Sequence, residues 1–210
     1  MKRIILLLIL AVVFSCKDEK KKEVEAVIEE VVEKQYKTVK NFLTEDIATL
    51  TKTRVSLTPA NEVEYISPVY LLSRITNTES AYLSSGLIPV TYASEYKVSV
   101  VVKKASNNNL FGLRLTGTYP DRADAIFDLD KGKVLEYKES QDFEKPLALI
   151  EELPNGFYKC TLSAEVAADN IRIIMGATSS KKNVLSWEGK TKNKVGIYIV
   201  PSSIIIEEAL

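Results

Sequence analysis

Apolar and polar positions fall into three textures along this chain. Ile4 to Phe14 is an unbroken apolar run of eleven residues, preceded by Lys2 and Arg3 and followed by Ser15 and Cys16. Between Lys17 and Lys40 fourteen of 24 residues are charged, seven of each sign, with no Gly or Pro. From Arg54 onward, β-branched and aromatic runs recur between turn residues at intervals of 8 to 15 positions. The first run is too short for a membrane-spanning helix, which needs about 20 apolar residues. A charged start, a short apolar stretch and a small residue before its end have the grammar of an export signal.

The second texture predicts a helix. Val24, Val27, Ile28, Val31 and Val32 fall at helical spacing, and Glu30 with Lys34 and Glu33 with Lys37 are favourably oriented i, i+4 pairs. An amphipathic helix is expected over 23–42, as a solvated spacer or, through its valine stripe, as the seed of a coiled-coil dimer with only about two heptads available. A second short helical piece is expected over 44–51, with Thr44 able to cap it. The third texture predicts an all-β domain. Tyr96, Val98, Val100 and Val102 alternate with more polar neighbours, and Ser106 to Asn109 is expected to turn them into a hairpin with Leu110 to Thr116. Ala125 to Leu129 and Lys133 to Tyr137 form a second expected hairpin around Asp130-Lys131-Gly132. Pro154-Asn155-Gly156 turns into Phe157 to Ala164, Ile171, Ile173 and Met175 alternate, and Gly196 to Ile206 supplies closing strands around Pro201. Many short antiparallel strands suit a two-sheet sandwich of jelly-roll type. The organisation expected is a signal over 1–15, a charged helical tether over 16–53 and a β-sandwich over 54–210.

Composition narrows the chemistry. Lys plus Arg and Asp plus Glu number 28 each, so no net field draws in a polyanion, and a nucleic-acid partner is not expected. Histidine is absent, which removes His-ligated zinc, the Ser-His-Asp and Cys-His arrangements and the usual proton shuttle near neutral pH. If Cys16 carries lipid, Cys160 has no partner for a disulfide, and the domain relies on its core.

Val13-Phe14-Ser15-Cys16 resembles the lipobox of bacterial lipoproteins, with Phe departing from the commonest pattern. The resemblance implies that Cys16 becomes the first mature residue and carries acyl chains that hold the protein on a bilayer; an ordinary cleaved signal with a coincidental cysteine is the alternative. Lys17-Asp18-Glu19 resembles the short charged tag of Bacteroidetes-type lipoproteins, which implies the outer face of the outer membrane. Within the domain, Tyr96 to Lys103 resembles the strand Y-x-x-S-x-x-V-K. Phe127 to Val134 resembles the hairpin F-D-L-x-x-G-x-V, and Ile150 to Cys160 resembles I-E-x-L-x-N-G-W-Y-R-C with Phe for Trp and Lys for Arg. Together these are similar to the β-sandwich of carbohydrate-binding modules of the family 4, 9 and 22 group, also found in phage fibre proteins, over roughly 69–210. What they mark is mainly structural: Tyr96, Phe127, Leu129, Phe157 and Tyr158 are expected in the core, and Gly132 and Gly156 at positive φ.

The resemblance implies glycan binding through exposed rings that stack on sugars. Trp187, between Ser186 and Glu188, is the first candidate, with a buried tryptophan closing one end of the sandwich as the alternative. Tyr119, in a loop with Arg122, is the second, against a packed turn tyrosine. Tyr92 and Tyr137 are weaker candidates, and Arg114 and Arg172 stand on strands, where they could face a ligand or snorkel to solvent. Lys181, Lys182, Lys190, Lys192 and Lys194 surround Trp187 and would suit acidic polysaccharides, or simply form a solvated loop. Asp121, Asp124, Asp128 and Asp130 could supply oxygen ligands to a structural calcium ion, although they lack EF-hand spacing and read first as turn aspartates. No other cofactor is expected. Glu151 and Glu152 are adjacent on a strand and point to opposite faces, so they are not a facing catalytic pair. The function expected is a surface-anchored, non-catalytic lipoprotein that binds extracellular polysaccharide. The alternatives are a structural or assembly subunit of an envelope complex and, behind it, a polysaccharide lyase or hydrolase.

Overall fold

In chain order, a computed structural model describes residues 34–42, 44–181 and 183–210. Period-two alternation of apolar side chains places them in fourteen strands forming two antiparallel sheets. The first sheet runs in the order β11 (Phe143–Leu153), β12 (Phe157–Val166), β7 (Ser94–Lys104), β14 (Gly196–Ala209), β4 (Tyr70–Arg74) and β3 (Val55–Pro59), and β1 (Tyr36–Asn41) also pairs with β14. The second sheet has the order β10 (Lys133–Ser140), β9 (Arg122–Asp128), β8 (Leu110–Thr116), β13 (Asn170–Ala177), β5 (Tyr82–Ser84) and β2 (Thr51–Thr53), and β6 (Ile88–Pro89) also pairs with β13.

The core lies where the inner faces meet. Tyr96, Val98, Val100 and Val102 of β7 face Phe111, Leu113 and Leu115 of β8, Ala123, Ala125 and Phe127 of β9, and Ile171, Ile173 and Met175 of β13 in one buried cluster. A fully buried aliphatic or aromatic side chain contributes about 1.5–3 kcal/mol, and this layer holds more than a dozen. Cys160 is part of it, and burial pushes its thiol well above the ordinary range. The core residues expected from sequence are buried, but Phe157 lies outside the layer between the sheets. It packs on the outer face of the first sheet with Ala60, Val69, Val101 and Val200, its ring centroid 4.4 Å from that of Tyr65. Gly132 and Gly156 take φ of 57° and 73°, as their turns require.

Three expectations need correction. The first hairpin does not form: β7 belongs to the first sheet and β8 to the second, so residues 105–109 carry the chain across the sandwich, with only a local Ala105–Asn108 bridge. Alternation tells which face of a strand is inward, and both strands would show the same pattern in either arrangement. The sandwich begins earlier than expected. The part of the 23–42 helix that can be checked is strand, because Tyr36–Asn41 pairs with the end of β14 and Thr51–Thr53 pairs with β5, so the sandwich begins before residue 54. The rest of that helix, the signal and Cys16 lie outside the described residues. The short helical piece is a 3-10 helix over Thr44–Thr49. Finally, the closing strands are one strand, β14, whose register with β7 shifts between Val200 and Ile205, where Pro201 cannot donate to the ladder. The second hairpin and the Pro154-Asn155-Gly156 turn form as expected.

Candidate functional site

Register decides what the outer face of the second sheet presents. Arg114 pairs with Asp124 on one side and Ile174 on the other, so the three side chains form one row. Two residues along, Thr116 sits between Arg122 and Arg172 in a second row. Two residues in the opposite direction, Gly112 sits between Ile126 and Gly176. The three rows differ sharply in bulk, and that difference shapes the face.

Above the glycine row, the chain after β13 folds back, and a short 3-10 turn at Val184–Ser186 lays the Trp187 indole against the sheet. A Cβ on Gly112 would come within 2.2 Å of the ring, and one on Gly176 within 3.5 Å, so the two glycines form the recess that admits it. Trp187 is 1% exposed, which rules out the stacking platform and agrees with the alternative of a buried tryptophan. Its polar neighbours in sequence stay at the surface while the indole closes a small apolar cluster with Ile126, Ile174 and Val184.

The Trp187 indole Nε1 donates to Asp124 Oδ1 at 2.8 Å, and Arg114 Nε donates to the same oxygen at 2.7 Å. Arg114 also forks onto Glu188, with Nη1 to Oε1 at 3.1 Å and Nη2 to Oε2 at 2.9 Å, and donates to the Leu185 carbonyl at 3.1 Å. From the other side, Arg74 is buried among carbonyls: its Nη2 donates to Glu79, Glu188 and Gly189, and its Nη1 to Ala177. Thr178 Oγ1 donates to the Trp187 carbonyl at 2.7 Å. These bonds fasten residues 185–189 to Thr178, β8 and β4 and leave the row of Thr116 uncovered.

Burial pushes the Asp124 carboxyl up to about 6, against the pull of Arg114 and Arg122. Arg114 is held above its usual range, because Asp124 and Glu188 outweigh the burial that opposes its charge. The folded value for Asp124 lies above that of an unfolded aspartate, about 3.9. The folded state therefore takes up this proton first. The stability that protonation of Asp124 adds is fully present below about pH 4 and is lost as the pH rises through about 6, above which the carboxylate remains with its Arg114 and Trp187 partners. Trp187, the single tryptophan, should report the event: its emission is expected to change with a midpoint near pH 6 and to stay flat there in Asp124→Asn. A wild-type midpoint near pH 4 would contradict this.

Beside the covered half lies a groove of about 760 Å³. Its floor is the Arg122–Thr116–Arg172 row with Ile174, and Arg114 and Glu188 close one side. One wall is the 117–121 loop, whose Tyr119-Pro120 peptide is cis, and the other is formed by Leu87, Tyr92 and residues 167–170. Tyr119 is 79% exposed and Tyr92 62%, and the Arg122 guanidinium lies 5.3 Å from the Tyr119 ring centroid. Of the five binding candidates, Tyr92, Tyr119, Arg114 and Arg122 thus line one groove, while Trp187 supports its edge from below. Arg114 is engaged by its own carboxylates, so its part is to hold the floor. Arg122 donates once to Leu185, and its Nε stands 3.4 Å from Asp124 Oδ2 without a hydrogen bond to either atom.

Of the remaining candidates, Arg172 and Asp121 also line the groove, and the other described ones lie elsewhere. Tyr137 is on β10 away from the groove, and Lys181, Lys190, Lys192 and Lys194 are exposed outside its lining. Asp121 lines the groove, Asp128 accepts from Asn109 and from the amides of Asp130 and Lys131, and Asp130 pairs with Lys104. Among the described residues no group of three or more acidic or cysteine side chains is placed to hold a metal ion, so the four aspartates do not gather as a calcium site would need. Sequence reasoning missed Arg74 and Glu188. The signal for the Trp187 recess was present in Gly112, a glycine inside an otherwise apolar strand.

A scan of protein-family models finds none that matches this chain, and no curated protein matches it.

Proposed function

We propose that this protein is a lipid-anchored, non-catalytic surface protein that binds extracellular polysaccharide in the groove on the second sheet. The observation that carries this reading is the pair of exposed rings, Tyr92 and Tyr119, facing a floor of arginine and threonine side chains in one groove. Rings of this kind stack on the apolar faces of sugars while the floor donates hydrogen bonds to their oxygens, and the groove volume is that of a site for a small ligand or a few sugar units. On this reading the strands form a jelly roll related to carbohydrate-binding modules, and Cys16 carries acyl chains that hold the chain on the outer membrane.

Asp121 and Asp169 line the groove as carboxylates unpaired among the described residues, while Asp124 beneath it and Glu188 at its edge are held by the protein itself. Asp124 is fully buried, and both oxygens of Glu188 face Arg114, so neither stands free as an acid or base beside a sugar. The test is affinity electrophoresis of the full chain in a neutral detergent, through gels containing a panel of polysaccharides. Retardation by at least one of them is expected, with Tyr119→Ala and Tyr92→Ala each weakening it about tenfold, the loss of 1–2 kcal/mol of ring contact. Wild-type retardation that persists in both variants would remove these rings from the site.

A second reading, a subunit of an envelope assembly, draws on a different surface. Ile66 is 94% exposed at the tip of the 60–69 loop, near Pro154, and Leu147 and Leu149 of β11 are 47% and 56% exposed.

A further inference from the structure

We infer that the groove selects sugars that carry an oxyanion, a carboxylate or a sulfate, and that Arg172 is the residue that reads it. This rests on the binding function proposed above and names the ligand class for the same site.

The chain contains six arginines and 22 lysines. Three of those arginines, Arg114, Arg122 and Arg172, line this one groove, and no lysine does. Lysine would serve a solvated rim as well. Arginine differs in presenting a planar fork that matches two oxygens of one anionic group, and it is less strongly hydrated.

The three guanidinium groups are not equivalent. Arg114 already makes four hydrogen bonds, to Asp124, Glu188 and Leu185. Arg122 keeps its Nη1 free of hydrogen bonds. Arg172 is exposed and makes no hydrogen bond or ion pair with any described residue, although Asp121 and Asp169 line the same groove. Those two carboxylates balance the formal charge of Arg122 and Arg172 without pairing with them. Recognition of an anion therefore has to come from directed hydrogen bonds and not from a general positive field. The register supplies the geometry. Arg172 and Arg122 stand on either side of Thr116, on strands about 4.8 Å from their neighbours, so their Cα atoms are roughly 10 Å apart. Two long side chains from that separation can converge on one substituent held above the Thr116 hydroxyl. Tyr119, stacked by Arg122, then takes the face of the sugar that bears it.

The experiment runs the full chain in neutral detergent at pH 7 through gels containing dextran, dextran sulfate or polygalacturonate. Wild type, Arg172→Ala, Arg172→Lys and Tyr119→Ala are compared. The expected result is retardation by an acidic polymer at least tenfold stronger than by dextran, abolished by Arg172→Ala and not restored by Arg172→Lys. Polygalacturonate alone would identify a carboxylate, dextran sulfate alone a sulfate, and either supports the inference. Equal retardation by dextran, or acidic binding untouched in Arg172→Ala while Tyr119→Ala weakens it, would overturn the anion selectivity and leave the binding function standing. No retardation by these or any other polysaccharide would overturn both.

Discussion

Asp124→Ala is expected to destabilise the domain by about 3–5 kcal/mol, because it removes one partner from a buried ion pair and leaves the other behind. Asp124 has no exposed surface, and its Oδ1 accepts from both Arg114 Nε and Trp187 Nε1. With that carboxylate gone, Arg114 keeps Glu188 at the groove edge but loses its partner inside the sheet, and the indole N–H is left buried without an acceptor. Asp124→Asn keeps an oxygen for these donors and loses only the charge, so its cost should be clearly smaller. Urea unfolding measures both, and equal stability of wild type and Asp124→Ala would show that the pair contributes nothing net. The same variant should loosen the segment carrying Leu185 and Glu188, so ligand affinity should fall with stability even though Asp124 cannot touch a ligand.

Trp187→Ala is expected to cost about 3–5 kcal/mol as well, the usual range for emptying a buried aromatic site. The indole lies in a recess made by backbone: Gly112 and Gly176 carry no side chains that could move in, so the cavity cannot collapse. Its neighbours Ile126, Ile174 and Val184 would lose their cover together. Trp187→Phe keeps most of the apolar contact and loses the bond to Asp124, which separates packing from hydrogen bonding. For a chain of this size a loss of that order lowers the melting temperature by roughly 6–20 °C. Calorimetry that finds Trp187→Ala within 1 °C of wild type would mean that the ring does not support the sheet. Because Trp187 and Asp124 are in contact, the two losses should not add, and a double variant reads the coupling.

The strands and the core were legible because alternation is a local signal. Tyr96, Phe127 and Ile173 declare their inward face within a few residues, and Gly132 and Gly156 mark turns for which a positive φ is needed. Sheet membership was not legible. The chain leaves β7 with inward-facing valines and enters β8 with inward-facing Phe111 and Leu113, and nothing in that pattern says whether the next strand pairs in the same sheet or crosses to the other. The helix expected to reach residue 42 failed for a related reason. The 34–41 stretch has helix-like charge spacing, but β14 offers it an open edge, and Lys37 pairs with Glu208 at 2.8 Å across the ladder. Tertiary pairing outweighs propensity at such a place.

The candidate site was half legible. Tyr92, Tyr119, Arg114 and Arg122 were picked individually from loops and strand ends, and cross-strand register brings them to one groove. Trp187 was legible only as a choice between exposed and buried, because its neighbours in sequence are polar and turn-forming while Gly112, Asp124 and Ile126, which decide its burial, lie on distant strands. Arg172 gained its importance only from standing beside Thr116 and Arg122, a neighbourhood that no stretch of sequence contains.

The most direct test of the groove as a glycan site is hydroxyl-radical footprinting of the full chain, with and without a saturating polysaccharide that retards it. Tyr119 and Tyr92, 79% and 62% exposed, should lose most of their oxidation together with Leu87, while Ile66 and Leu149, 94% and 56% exposed, should be oxidised as before. Protection at Ile66 or Leu149 with Tyr119 still fully oxidised would place the binding surface elsewhere and contradict the account.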